Sequence, residues 1–126
     1  MESSPARELL ARIGISESSC ESLRLGYAPN DWDYIVKKLQ GHATAEVLSR
    51  AGLIVPRKSG SGYYDRFRSR LMIPIGTQQS LCGFVGVGID GTEPVLLFSP
   101  DSQFFSRAVA VAFVRDEPEL RAITGL

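Results

Sequence analysis

The sequence predicts an α+β fold, in which N-terminal helices are followed by a small, mostly antiparallel β-sheet and a short C-terminal helix. Two observations support this prediction. Apolar residues recur at helical spacing up to Gly52, whereas apolar runs separated by turn residues dominate from Leu71 onward. The 126 residues are 44% hydrophobic and 22% charged, with no formal net charge. That composition is ordinary for a globular protein, and we predict one domain spanning residues 1–126.

The first two predicted helices are short. Residues 5–12 begin a helix in which Leu9, Leu10 and Ile13 recur at helical spacing, and Gly14 follows as a stop signal. Ser16 is a good N-cap for a second helix over residues 17–23, since Glu17 and two serines fill its first turn.

Two further helices are predicted before the strands begin. Asn30 or Asp31 is expected to cap the third, and Thr44 to begin the fourth, which ends at Gly52. The third helix carries one apolar stripe. Its members are Trp32, Ile35, Val36 and Leu39.

Three strands are predicted in the second half, over residues 71–75, 81–89 and 95–98. A hairpin-length connection joins the first two, and Asp90-Gly91 is a turn signal before the third. Residues 103–114 fit either a strand or a helix, and Pro118 begins a last short helix.

A basic segment precedes the first of these strands. From Arg57 through Arg70 there are five basic residues and a single acid, Asp65. If this segment is extended, its three arginines at alternate positions form a positive row, while Phe67 packs inward. Such a concentration is typical of a phosphate-binding edge, although charged residues also protect exposed strands from aggregation. The row consists of Arg66, Arg68 and Arg70, with Lys58 just upstream.

Other residue types give no sign of catalysis. His42 has no nearby partner, and Cys20 and Cys82 are expected to be packed thiols. The glycines between residues 83 and 88 lack a following helix, which favours close packing over phosphate binding as their role. We predict no catalytic residue, no metal ligand and no cofactor. With no apolar run of membrane length and no secretory leader, a cytoplasmic location is expected.

The basic segment is also one of several motifs that occur in a fixed order. The string from Tyr64 to Ile75 is the most specific of them. The others are Leu25-Gly26-Tyr27-Ala28-Pro29 followed by Trp32-Asp33, Ala51-Gly52-Leu53-Ile54, Gly83-Phe84-Val85-Gly86, and Ser99-Pro100 with Phe105. In this order and spacing, from Ala6 to Arg107, the chain resembles the N-terminal part of the catalytic core of bacterial DnaG-type primases.

The resemblance implies a nucleic-acid groove lined by basic residues, but the sequence departs from that pattern at three positions. Ile13, Val87 and Val95 stand where the family has arginine or lysine, and Arg107 keeps the basic character of a fourth position. Valine or isoleucine cannot hydrogen-bond phosphate. The zinc-binding and acidic Toprim modules of the family have no counterpart in these residues.

Three functions remain open at this point. The first is a stand-alone, non-catalytic primase-like domain that binds single-stranded DNA, or a DNA/RNA hybrid, through Lys58, Arg66, Arg68, Arg70 and Arg107. The second is an adaptor for a protein partner, such as a replication protein, in which Ile13, Val87 and Val95 converge on an apolar groove. The third is one half of a split primase that a separate Toprim module completes.

Overall fold

A computed structural model describes residues 4–77 and 79–126, which form six helices and six strands. The helices are α1 (Ser4–Arg12), α2 (Glu17–Ser22), α3 (Tyr34–Lys38), α4 (Ala45–Arg50), α5 (Arg107–Arg115) and α6 (Pro118–Thr124). The strands are β1 (Gly26–Ala28), β2 (Ile54–Pro56), β3 (Tyr63–Asp65), β4 (Arg70–Gly76), β5 (Leu81–Gly88) and β6 (Leu96–Phe98). The predicted α+β class is therefore confirmed.

Local capping signals predicted the helix starts well. The Ser16 hydroxyl accepts a hydrogen bond from the Ser19 amide at 3.1 Å, and the Thr44 hydroxyl accepts one from the Val47 amide at 3.2 Å. The ambiguous segment before Val114 is helical because Ser106 caps it in the same way, with the Val109 amide as donor. Each of these hydroxyls satisfies a backbone donor that the first helical turn leaves free.

The third helix differs from its prediction. It begins only at Tyr34, and neither Asn30 nor Asp31 caps it. Trp32 lies before the helix and is 57% exposed, so it does not belong to an apolar stripe. The physical reason is a cap supplied from elsewhere in the chain, since the Asp65 carboxylate occupies the helix N-terminus.

Four antiparallel strands form the main sheet in the order β1-β4-β5-β6, and β2 pairs with β3 in a separate two-stranded sheet. The sequence did not predict β1, because three residues are too few to show an alternating pattern. Its pairing with the start of β4, Gly26 opposite Met72, forms the edge of the sheet.

One face of the main sheet carries the hydrophobic core. Leu71, Ile73 and Ile75 of β4 are at most 1% exposed, and they lie in one buried cluster with residues of α1, α5 and α6. Within the described ranges, no helix has both the length and the apolar character needed to cross a membrane.

Glycines on β5 allow close approach to both faces of the sheet, as the sequence predicted. A Cβ at Gly83 would lie 2.6 Å from the Phe105 ring, and one at Gly86 would lie 2.7 Å from the Phe67 ring and 2.8 Å from the Arg70 Cδ. Gly86 therefore makes room for two side chains of the basic segment directly against the strand.

Replacing Gly86 by alanine is expected to lower the free energy of unfolding by about 1–3 kcal/mol, because the new methyl group overlaps Phe67 and Arg70. Gly26→Ala is the matched control, since its nearest neighbour is 3.9 Å away and its φ is not positive. Urea denaturation of both variants measures the difference. Equal stabilities would show that the strand does not depend on this close approach.

Candidate nucleic-acid interface

The basic segment is not an extended strand. β3 ends at Asp65 and β4 begins at Arg70, and the residues between them form an irregular link. Ser69 has a φ of 51°, in the left-handed region, and this turn separates Arg70 from the two preceding arginines. The Ser69 amide donates to the Pro29 carbonyl at 3.3 Å, and its carbonyl accepts from Ile89 at 3.0 Å. The condition for a straight arginine row is therefore not met.

Asp65 fixes the start of this segment. Its side chain is 1% exposed and accepts hydrogen bonds from the Ile35 amide at 2.8 Å and the Val36 amide at 3.1 Å. Its own amide donates to the Trp32 carbonyl at 2.7 Å. A carboxylate at a helix N-terminus accepts hydrogen bonds from otherwise free backbone amides, and its negative charge interacts favourably with the helix dipole. Asp65 thus joins α3, Trp32 and the arginine segment.

Arg68 lies over the exposed aromatic residue that Asp65 positions. Its guanidinium carbon is 3.8 Å from the centre of the Trp32 ring and 5.7 Å from that of Tyr64. It also donates a hydrogen bond to the Asp65 carbonyl. The Trp32 and Tyr64 rings meet edge to face with centroids 5.6 Å apart. Cation–π stacking and one hydrogen bond therefore hold Arg68, and its other donors remain available.

Arg57 extends this cluster, because it also lies near Tyr64. Its guanidinium carbon lies 6.0 Å from the ring centroid of Tyr64. Two arginines and two aromatic rings thus share one surface region, which we call the Trp32 cluster: Arg57, Tyr64, Arg68 and Trp32.

Arg66 is half-buried, and its guanidinium donates to the Phe98 carbonyl at 2.7 Å. Its Nε is buried and has no hydrogen-bond partner among the described residues. Burial lowers the pKa of the Arg66 guanidinium, with a smaller opposing effect from Tyr64. Since an arginine stays protonated in a protein, the result is a poorly solvated cation.

Arg70 is 3% exposed, and its guanidinium donates to the carbonyls of Gly86 at 3.2 Å and Pro94 at 2.7 Å. Burial lowers its pKa most, and repulsion from Arg68 and Arg66 lowers it further, while Glu93 acts in the opposite direction. The sequence placed Arg70 on an exposed row, but the turn at Ser69 and the gap above Gly86 direct it onto the sheet. It supplies positive charge from inside the fold.

The three arginines nevertheless converge. They line one cleft of about 330 Å³, which we call the arginine cleft. Its other lining residues are Asn30, Ser69, Thr92, Glu93, Pro94 and Leu97. Within residues 4–77 and 79–126, none of these arginines forms an ion pair with a carboxylate. Their charges are therefore left to attract an anion from solution.

The remaining two predicted residues lie apart from the cleft. Arg107 is the first residue of α5, and its guanidinium carbon lies 4.5 Å above the ring of Phe98, the residue whose carbonyl Arg66 binds. Lys58 is exposed in the loop between β2 and β3 and does not line the cleft. Arg107 thus shares a contact residue with Arg66, whereas Lys58 belongs to a separate loop.

The three apolar residues that stand where the family has arginine or lysine do not form one exposed groove. Val87 is 5% exposed and belongs to the core, whereas Ile13 and Val95 are 38% and 58% exposed. Because Val87 faces the interior, it cannot contribute to an apolar docking surface.

The fold and the cleft define an α+β domain with a cationic surface cleft. The family model described as the DNA primase catalytic core, N-terminal domain, matches residues 1–112. A DNA primase from Synechococcus elongatus is 43% identical over 96 residues, which are 74% of this chain and 14% of that primase. The chain belongs to the family of N-terminal domains of the DNA primase catalytic core.

Solved structures support the same assignment. A DnaG primase catalytic domain bound to single-stranded DNA has a TM-score of 0.70 and 32% identity, covering 82% of this chain and 34% of that one. The RNA polymerase domain of Mycobacterium tuberculosis DnaG, in complex with a double-stranded DNA oligomer with an overhang, has a TM-score of 0.74 and 28% identity over 85% and 34%. The chain thus spans about a third of these solved domains.

Sequence reasoning missed two important residues. The sequence predicts Trp32 as part of a helix stripe, and it gives Asp65 only as the single acid among five basic residues. The signal for Trp32 was the Asp-Trp-Asp context, since Asp31 accepts a bond from the Asp33 amide in a turn before the helix. No local pattern could reveal the Asp65 cap, because its helical partners lie 30 and 29 residues earlier.

Replacing Asp65 by alanine is expected to lower the free energy of unfolding by about 2–3 kcal/mol, because two backbone donors of α3 lose a charged acceptor. Thr44→Ala is the comparison, since it removes an exposed single-bond cap and should cost only about 1 kcal/mol. Denaturant titration measures both. A loss at Asp65 no larger than that at Thr44 would contradict the proposed link.

Trp32 is the one tryptophan in the sequence, so its fluorescence reports on the cluster. Arg68→Ala is expected to shift its emission to longer wavelength, because the ring face that Arg68 covers at 3.8 Å becomes hydrated. Arg66→Ala is the control, since Arg66 stacks on Phe67 instead. Identical spectra for both variants would show that Arg68 does not cover Trp32 in solution.

Proposed function

We propose that this primase-family domain binds single-stranded nucleic acid through the arginine cleft and the Trp32 cluster. One observation carries the proposal: three arginines converge on one cleft, whose lining includes a single acid, Glu93, and none of the three forms an ion pair with a carboxylate of the described residues. A flexible phosphate backbone is a ligand that such a site fits, because it supplies negative charge and oxygen acceptors together.

The arginines have different roles in the proposed binding. Arg66 and Arg68 each keep guanidinium donors beyond their one backbone carbonyl, so both can bind phosphate oxygens directly. Arg70 is buried and contributes its charge rather than a contact. Arg107 borders the site beside Phe98 and extends the positive surface toward α5. Lys58, on its exposed loop, is a peripheral contact.

Aromatic rings give this surface a second mode of binding. Trp32 is 57% exposed, and the centroid of its ring lies 5.6 Å from that of Tyr64. Base–aromatic stacking tolerates any sequence and contributes about 1–3 kcal/mol per base. Arg and aromatic side chains on one surface favour a single strand, whose bases are free to stack, over a duplex. One relative was solved with single-stranded DNA and another with a double-stranded oligomer that carries an overhang, and both support a nucleic-acid ligand.

The domain acts without catalysis on its own in this proposal. Phosphoryl transfer needs carboxylates that hold divalent metal ions beside the reacting phosphate. In the described part of the chain, no group of three or more His, Cys, Asp or Glu side chains is arranged so that it could hold a metal ion. Such ligands would have to come from another module. In this proposal the chain is a single domain that acts in the cytoplasm. A DNA/RNA hybrid or a replication protein is a further partner.

Of the two alternatives, the split primase is the one that the described residues do not contradict. The chain covers about a third of each solved core, 34% in both cases. The adaptor hypothesis required Ile13, Val87 and Val95 to converge on an apolar groove, and Val87 is buried in the core. Primer synthesis on mixing the domain with a separately produced metal-binding primase module would favour the split enzyme, and no synthesis would favour a binding domain.

The double variant Arg66→Gln/Arg68→Gln is expected to bind a labelled single-stranded oligonucleotide at least tenfold more weakly at low salt. Its slope of log affinity against log salt should fall by about 0.7 for each phosphate group that the variant no longer binds. Fluorescence anisotropy over a salt series measures both quantities.

Arg24→Gln is the control, because it makes the same kind of change, once rather than twice, at the far end of β4. There Arg24 donates to the Gly76 carbonyl, whereas the cleft lies at the Arg70 end. The control should bind like the unaltered protein. Absence of salt-dependent binding by the unaltered protein, or an equal weakening of binding in both variants, would reject the proposal.

A further inference from the structure

The arginine cleft continues into a second cleft of different chemistry. The second cleft has a volume of about 360 Å³ and shares three lining residues with the first: Asn30, Ser69 and Thr92. Beyond these shared residues it is lined by Tyr27, Ile89 and Asp90. We call it the neutral cleft, because its lining residues are uncharged apart from Asp90. The two clefts therefore form one path that begins at arginines and ends at a tyrosine and a carboxylate.

The neutral cleft offers hydrogen-bonding groups that the fold does not use. Among the described residues, the side chains of Asn30, Ser69 and Tyr27 make no hydrogen bond. Thr92 differs, because its hydroxyl donates to the Ile89 carbonyl at 2.7 Å and is needed by the turn. An amide, a phenol and a hydroxyl along one wall can donate and accept hydrogen bonds in several directions.

Charge gives the path a direction. At one end lie Arg66, Arg68 and Arg70, which outnumber the single acid of that cleft, Glu93. At the other end Asp90 is exposed, and no cation lines the cleft with it. A phosphate is attracted to the first end and repelled from the second, whereas an exocyclic amino or ring N–H group would suit the Asp90 carboxylate.

We infer that the neutral cleft is a nucleobase subsite, which receives the base next to a phosphate held in the arginine cleft. This inference rests on the proposed single-strand binding. Asn30 and Tyr27 hydrogen-bond the edge of the base, Asp90 accepts from its N–H groups, and Ser69 marks the junction between phosphate and base. The subsite thereby adds a base contact that does not depend on salt.

The double variant Asn30→Ala/Tyr27→Phe tests the subsite, because it removes an exposed amide and one hydroxyl while keeping the Tyr27 ring that packs against the core. Binding of labelled oligothymidylate is expected to weaken about threefold to tenfold. The salt slope should equal that of the unaltered protein, because the variant keeps every arginine that binds phosphate. Arg68→Gln provides the contrast, with a reduced slope.

A second probe separates a base from the rest of the nucleotide. The unaltered protein should bind oligothymidylate more tightly than an abasic oligomer of the same length and charge. In Asn30→Ala/Tyr27→Phe this preference should shrink by the same threefold to tenfold, since the abasic oligomer makes no use of the subsite. Thermal melting of each variant confirms that the fold is intact.

The possible results lead to different conclusions. The subsite is supported if Asn30→Ala/Tyr27→Phe binds more weakly than the unaltered protein, with the same salt slope and a reduced preference for bases. Unaltered affinity, a reduced salt slope, or an unchanged preference for bases would each overturn it while leaving phosphate binding in place. If the unaltered protein binds neither oligomer at low salt, the proposed function fails, and the subsite fails with it.

Discussion

The hydrogen bonds from the Ile35 and Val36 amides to the Asp65 carboxylate are the constraint on which the rest of the candidate interface depends. They tie the end of β3 to the start of a five-residue helix that has no cap of its own. Such a short helix is marginal without tertiary support. Once this helix is held, Trp32 is fixed beside it, and Arg68 has a ring on which to stack.

The second face of the main sheet carries the arginine segment. Helices cover the first face, whereas on the second face Gly86 leaves the backbone of β5 uncovered by a side chain of its own. Phe67 and Arg70 lie in the space that a side chain would fill, and Phe67 also meets Phe84 edge to face at 6.4 Å. The arginine segment is therefore anchored by packing as well as by hydrogen bonds, which gives the cleft a defined shape.

How much of this could be predicted from the sequence depended on the distance along the chain to the deciding partner. The caps at Ser16 and Thr44 were predictable because the donor amide lies three residues away. The hairpin of β4 and β5 and the turn at Asp90 were predictable for the same local reason. β1 was not, since its partner strand lies far along the chain, with Gly26 opposite Met72.

The candidate site follows the same rule. Composition alone pointed to Arg66, Arg68 and Arg70, and the structure brings all three to one cleft. The burial of Arg70 was beyond local reasoning, because it depends on the carbonyls of Gly86 and Pro94 and on the turn at Ser69. Trp32 was only partly predictable, because its Asp-Trp-Asp context indicates a turn before the helix but does not reveal the distant carboxylate that positions the ring.

The burial of Arg70 separates two quantities that usually go together. Its charge is held in place by two carbonyls, so in the proposed complex it adds to the electrostatic potential at the cleft mouth but releases no counterion. Under that proposal, the equilibrium salt dependence counts only the arginines that touch phosphate, whereas the rate of association depends on every arginine near the mouth. The proposal therefore gives the domain more charge for attracting a strand than for holding it.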